Sequence, residues 1–65
     1  MKETTITLAM NAVDLLNDEY KESGSISIAR TKVEEYVTNR AKFFQVSDED
    51  VAAIINHIDV IIRCK

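Results

Sequence analysis

Apolar side chains recur every three or four positions along most of this chain, which is the spacing of one face of an α-helix. The first group of residues that shares this spacing is Ile6, Ala9, Met10, Val13, Leu16 and Tyr20. The second group is Ala29, Val33, Tyr36, Val37 and Phe44. The pattern therefore predicts one amphipathic helix over about 6–22 and another over about 27–44.

The clearest interruption of this pattern is the segment KESGSIS, which contains Gly24, the single glycine of the chain. A glycine flanked by serines is typical of a turn between helices. Ser27 follows the turn and is a candidate N-cap for the second helix, because a serine oxygen can accept a hydrogen bond from a free backbone N–H group. The turn is therefore predicted to separate the first helix from the second.

A third helix is predicted over about 47–63, where both ends carry the charges that a helix favours. Ser47 supplies a capping hydroxyl, and the acidic run 48–50 places carboxylates at the positive end of the helix dipole. Arg63 and Lys65 place positive charge at the opposite end. We therefore expect a single all-α domain over 1–65, built as a small three-helix bundle.

The third helix is apolar over a wider arc than one buried face requires. Its main stripe consists of Val51, Ile54, Ile55, Ile58 and Ile62. Further apolar residues widen the arc to roughly 220°. The first helix is also apolar on two sides, because Leu8 and Leu15 lie nearly opposite its main stripe. Two arrangements would cover such a helix. In a self-sufficient monomer the third helix lies in the groove between the other two, which alone widens its buried arc; in the preferred one, a second chain covers the rest, most simply in a homodimer.

The residues predicted to form this protein interface are Leu8, Leu15, Arg40, Ala53, Val60, Ile61 and Cys64. Arg40 belongs to the set because it lies within the apolar stripe of the second helix. A guanidinium there needs either a carboxylate partner or an opening to water. Two interpretations stay open: the side chain reaches past the end of the core to solvent, or it forms an ion pair across a subunit interface or with a target.

Length and composition favour association. A domain of 65 residues buries only about 60% of the surface that its unfolded chain exposes, so its stability is marginal. The single cysteine excludes an internal disulfide, and one cysteine with one histidine cannot supply the four ligands of structural zinc. A net charge of -3 offers no general attraction to nucleic acid or anionic membranes. With no signal peptide and no membrane span evident, the sequence predicts a cytoplasmic protein.

The sequence contains no constellation typical of an enzyme. His57 and Cys64 lie two turns apart on the third helix, which separates their Cα atoms by roughly 10 Å, too far for a direct hydrogen bond. No Ser-His-Asp set is present, and we see no paired carboxylates in an evident cleft. We therefore expect a non-enzymatic protein with no metal and no cofactor, which acts as a protein–protein interaction or regulatory module: a helical homo-oligomer, or an adaptor or inhibitor that binds another protein's helix.

One alternative assigns DNA binding to the chain. The segment ETTITLA, the turn SGSIS and the segment IARTKVEEYV together resemble the ribbon-helix-helix repressors and antitoxins. The resemblance implies a dimer in which residues about 3–9 form a strand that enters the major groove, with Thr5 and Thr7 at the base-reading positions. The segment between Glu3 and Ala9 has no Lys, Arg, Asn or Gln for base contacts, so the interaction module remains the preferred hypothesis.

Overall fold

The computed structural model of the protein describes residues 2–64, which form three α-helices. Helix α1 spans Glu3–Ser23, α2 spans Ile26–Phe44 and α3 spans Asp48–Arg63. Within these described residues there is no β-strand, so the predicted all-α three-helix fold is confirmed. Lys65, which the sequence predicted to complement the dipole of α3, lies outside the described residues.

Helix α1 begins earlier than the apolar spacing predicted, because Thr5 also belongs to its buried face. The residues of α1 that are almost completely buried recur at helical spacing: Thr5, Leu8, Ala12 and Leu16. The backbone N–H of Ile6 already donates to the carbonyl of Lys2. The strand predicted for residues 3–9 by the DNA-binding alternative is therefore wrong.

Turn chemistry explains where the helices begin and end. Gly24 ends α1 in the left-handed conformation at φ 70, which glycine adopts without a steric penalty. The N-cap of α2 is Ser25 and not Ser27, since the Ser25 hydroxyl accepts a hydrogen bond from the Ile28 N–H at 3.3 Å. Ser47 caps α3 as predicted and accepts from the Asp50 N–H at 3.2 Å.

The second turn is one residue longer than the first and has no glycine. Helix α2 ends at Gln45, which adopts the left-handed conformation at φ 57 and donates its backbone N–H to the carbonyl of Ala41. Val46 then donates its N–H to the same carbonyl at 2.9 Å. These two hydrogen bonds satisfy a carbonyl at the end of α2, and the chain reaches the cap of α3 within three residues.

The core lies along the shared axis of the bundle and is built from small and branched aliphatic residues: Leu8, Ala12, Leu16, Ala29, Val33, Val37, Ala41, Ile54 and Ile58. Alanines on α1 and α2 let these two helices approach closely, and α1 packs most extensively against α2 and least against α3. Both phenylalanines of the chain lie outside this core. Phe44, which the sequence placed in the stripe of α2, is 46% exposed, because Ala41 occupies the last core position of that helix.

The buried face of α1 differs from the predicted one by about a quarter turn. Leu8, predicted at an interface, is 2% exposed and belongs to the core. Ile6 and Met10, predicted in the core, are 47% and 64% exposed. The apolar arc of α1 is wide enough to offer two faces, and α2 and α3 cover the one that contains Leu8.

Polar side chains link the helices at their edges, and three of these interactions are the following. The Thr5 hydroxyl donates to an Asp50 carboxylate oxygen at 3.3 Å, which joins the beginnings of α1 and α3. Lys32 on α2 forms an ion pair with Glu19 on α1 at 3.2 Å. The third interaction, between α2 and α3, involves Arg30. Every polar side-chain atom that is buried within residues 2–64 has a hydrogen-bond partner.

Candidate interaction surfaces

An open apolar groove separates α1 from α3, the two helices that pack least against each other. The groove has a volume of about 230 Å³, and its α1 side consists of Ile6, Ala9, Met10 and Val13. His57 lines the opposite side from α3. Among these groove residues, Ile6 and Met10 are the large side chains that stay most exposed to solvent. Water therefore contacts an apolar surface that a soluble bundle ordinarily buries.

Helix α3 continues this apolar surface along its exposed side. Ala53, Val60 and Cys64 recur with His57 at intervals of three or four residues, so the four side chains lie along one line of the helix. Val60 is 52% exposed, and Ala53 and Cys64 are also exposed. We call the combined surface the α1/α3 face and define it by Ile6, Ala9, Met10, Val13, Ala53, His57, Val60 and Cys64.

The predicted interface residues divide between this face and the core. Ala53, Val60 and Cys64 belong to the α1/α3 face. Leu15 and Ile61 are partly buried and pack against the core, so each is largely covered within one chain. Ile6 and Met10 were predicted in the core and not at an interface. Because α1 is apolar on two sides, either side could have been the exposed one.

Arg40 lies elsewhere, on a second exposed surface at the end of α2. Its guanidinium carbon stands 5.6 Å from the centre of the Tyr36 ring, in cation–π contact. Tyr36, Asn39, Arg40 and Phe43 line a shallow groove of about 380 Å³, which shares no residue with the α1/α3 groove. The rings of Phe43 and Phe44 meet edge to face at 5.1 Å. We call these residues, Tyr36, Asn39, Arg40, Phe43 and Phe44, the α2 aromatic patch.

Arg30, which no sequence pattern singled out, joins α2 to α3. Its Nε donates to Asp59 Oδ1 at 2.8 Å, and its Nη2 to Asp59 Oδ2 at 3.4 Å, so the contact between α2 and α3 is bidentate. Arg30 also pairs with Glu34 one turn along α2. The hydrogen bond from Arg30 lowers the pKa of the Asp59 carboxyl, and the hydrogen bonds to Asp59 and Glu34 raise that of the guanidinium.

The residues proposed for DNA contact do not form a common surface. Thr5 is 1% exposed, and its hydroxyl is already bonded to Asp50, so its predicted base-reading position is wrong. Thr7 is exposed on α1, in a groove that it shares with Glu3 and Phe44. The dimeric strand that would present both threonines to DNA is absent, because this segment is helical.

No catalytic or metal centre emerges from the part of the chain that the structure describes. His57 and Cys64 are both exposed, and residues 2–64 contain no group of three metal-ligating side chains. In the same range, no helix combines the length and apolar character needed to cross a membrane. The expectation of a non-enzymatic protein without metal or cofactor stays a prediction.

Comparison with protein-family models, with curated proteins and with solved structures gave no match to this chain. The features of the three-helix bundle that bear on its function are therefore its two exposed surfaces, the α1/α3 face and the α2 aromatic patch.

Proposed function

We propose that this chain is a small non-enzymatic interaction module of the cytoplasm that self-associates as a homodimer through the α1/α3 face. The observation that carries the proposal is the continuity of exposed apolar side chains across two helices. Ile6, Met10 and Val60 are each close to half exposed or more. Ile6 and Met10 line the groove, and Val60 lies one turn along α3 from His57 on the opposite side. Burial of apolar surface is the dominant favourable contribution to most protein–protein association.

The accessible area of the isolated chain supports this proposal. A compact monomer of 7.4 kDa is expected to expose about 4,200 Å². The chain exposes 4584 Å². A standard interface covers about 800 Å² on each partner, so the α1/α3 face would have to bury its groove together with the exposed line of α3. Dimerisation would also provide the stability that a short chain without disulfides lacks.

A twofold arrangement suits this face because each copy carries both complementary parts. The protruding Met10 and Ile6 of one copy can pack against the small Ala53 and the Val60 of the other, and the symmetry repeats the contact. The face has no charged side chain at its centre, so its burial would desolvate no unpaired ion. His57 contributes a polar side chain to the face.

Sedimentation velocity with the full chain tests the proposal. We expect a dimer at protein concentrations on the order of 100 µM. Val60→Asp places a carboxylate in the apolar contact and should yield a monomer whose helical dichroism is retained. Met10→Glu should act in the same way from the α1 side of the α1/α3 face.

Ile28→Asp provides a matched control. Ile28 is 48% exposed, close to the 52% of Val60, but it lies on α2, which contributes nothing to the groove. An acidic residue in the first turn of α2 is also favourable for the helix dipole, so the variant should fold. A wild-type monomer at this concentration, or a Val60→Asp protein that still dimerises, would overturn the proposed self-association.

A further inference from the structure

The α2 aromatic patch concentrates residues that ordinarily stabilise cores or interfaces. Tyr36, Phe43 and Phe44 are three of the four aromatic residues of the chain, and they fall within nine positions. Phe43 is 75% exposed and Phe44 is 46% exposed, while the core of the bundle contains no aromatic ring among its fully buried side chains. Aromatic residues with arginine are the most frequent energetic anchors of protein interfaces.

The stretch of sequence that carries the patch is locally basic, although Glu3 and Asp50 lie near Phe44 at its edge. The chain carries a net charge of -3, yet the stretch 36–47 contains Arg40 and Lys42 and no acidic residue, which makes it the longest acid-free run in the sequence. Arg40 is exposed, and within residues 2–64 it forms no ion pair. Its guanidinium rests on the Tyr36 ring, which orients it but leaves its donors available to a carboxylate.

We propose that the α2 aromatic patch is a docking site for an acidic peptide segment of another protein, one that carries a carboxylate next to an apolar side chain. The carboxylate accepts hydrogen bonds from Arg40 and Asn39, and the apolar side chain packs against Phe43 in the groove of about 380 Å³. The proposal does not depend on self-association, because the patch and the α1/α3 face share no residue. With both surfaces occupied, the protein is an adaptor whose dimer presents the patch twice.

An acidic peptide fits this patch better than nucleic acid does. A nucleic acid strand presents a phosphate at every nucleotide and needs a row of cations, whereas the patch supplies Arg40 and Lys42 at one helix end of an acidic protein. A peptide needs one or two well-placed charge pairs with an apolar anchor between them. Charge complementarity therefore identifies an acidic polypeptide as the occupant.

Selection from a random peptide library displayed on phage, with peptides of roughly twelve residues, tests the proposal on the full wild-type chain. We expect the selected sequences to be enriched in Asp or Glu beside Leu, Phe or Tyr. A synthetic copy of the dominant peptide, measured by fluorescence anisotropy, should bind about tenfold more weakly to Arg40→Gln and to Phe43→Ala. Binding should also weaken as the salt concentration rises.

Two control variants separate the patch from general charge and hydrophobicity. Arg63→Gln removes an exposed arginine from α3, and Ile28→Ala removes an exposed apolar side chain from the opposite end of α2; neither should change the affinity by more than about twofold. Because Phe43 is 75% exposed, its truncation leaves the core intact, and helical dichroism checks that each variant is folded.

Three outcomes would overturn the docking site. One is a set of selected peptides with no acidic enrichment, or none that depend on both Arg40 and Phe43. Another is preferential binding of an oligothymidine over every selected peptide, which would assign the patch to single-stranded nucleic acid. The last is a change in sedimentation mass caused by Phe43→Ala, which would assign the patch to a second copy of the chain. In each case the sedimentation of Val60→Asp still tests self-association independently.

Discussion

At the scale of single residues, some polar side chains stabilise the contacts between helices, and the periodicity of apolar residues does not reveal them. Arg30 illustrates the limit, because its partner Asp59 lies 29 positions away and becomes a neighbour only after α2 and α3 have packed. Thr5 is a second example, since a threonine gives no apolar signal, yet it occupies a core position and donates to Asp50. The sequence shows which side chains are polar, but it does not show which of them become partners or become buried when the helices pack.

The Arg30–Asp59 pair predicts a pH dependence of stability. The hydrogen bond from Arg30 lowers the folded-state pKa of Asp59, so its stabilising contribution is present above the unfolded-state pKa of about 3.9. That contribution is lost as the pH falls through the folded-state pKa. We expect Asp59→Asn to lower the urea midpoint at pH 7, and the difference from wild type to shrink as the pH falls below about 4.

Asp14→Asn is the control for this prediction, since Asp14 is exposed and makes no ion pair within the described chain. Its urea midpoint should follow that of the wild type at every pH. A wild-type-to-Asp59→Asn difference that stays constant between pH 7 and pH 3 would contradict the assigned role of the carboxylate.

The revised face of α1 gives a second residue-scale prediction. Leu8→Ala should destabilise the bundle by about 2–5 kcal/mol, because it opens a cavity in the core, whereas Met10→Ala should cost under about 1 kcal/mol. Both are measured by urea unfolding in the monomeric Val60→Asp background, so that association does not contribute. Equal destabilisation by the two changes would favour the face that the sequence predicted.

At the scale of helices, the sequence was informative wherever a local rule decides the outcome. Helix α3 begins after Ser47 as predicted, because a hydroxyl followed by carboxylates satisfies both the free N–H groups and the dipole. The turn at Gly24 was also found. The cap of α2 was misplaced by two residues because Ser25 and Ser27 are equally good caps, and only the conformation of Gly24 selects between them.

The two serines provide a direct test at this scale. Ser25→Ala should destabilise the protein by about 1 kcal/mol, because the Ile28 N–H loses its acceptor. Ser27→Ala should change stability by less than about 0.5 kcal/mol, because alanine suits the interior of a first helical turn. Thermal unfolding followed by dichroism measures both, and a larger loss for Ser27→Ala would contradict the observed cap.

At the scale of the whole molecule, the sequence predicted that the bundle has more apolar surface than it can bury but could not say where the excess lies. The apolar arc of α3 is about 220° wide and that of α1 is narrower but also two-sided. Helix periodicity gives the width of an arc but not the positions of the neighbouring helices. Packing settles the direction: α2 covers one side of α1, and the side with Ile6 and Met10 stays open beside α3. The position of the candidate site therefore depends on how the helices pack, and that packing is determined by contacts between residues far apart in the sequence.

A dimer held by the α1/α3 face predicts that thermal stability depends on protein concentration. Mass action should raise the melting temperature of the wild type as its concentration increases over about two orders of magnitude. The melting temperature of Val60→Asp should not change over the same series, and that of Ile28→Asp should follow the wild type. Differential scanning calorimetry provides the measurement, and a wild-type value independent of concentration would argue against coupled folding and assembly.

The left-handed conformation of Gln45 makes the second turn a position where a substitution can increase the stability of the fold. A residue with a Cβ is strained at φ 57, and a glycine there is not. Replacement of Gln45 by glycine should therefore increase stability by roughly 0.5–1 kcal/mol, less the cost of a more flexible unfolded chain. Such a stabilised background would keep interface-disrupted variants folded at body temperature, so that their loss of partner binding could be compared in living cells without interference from degradation.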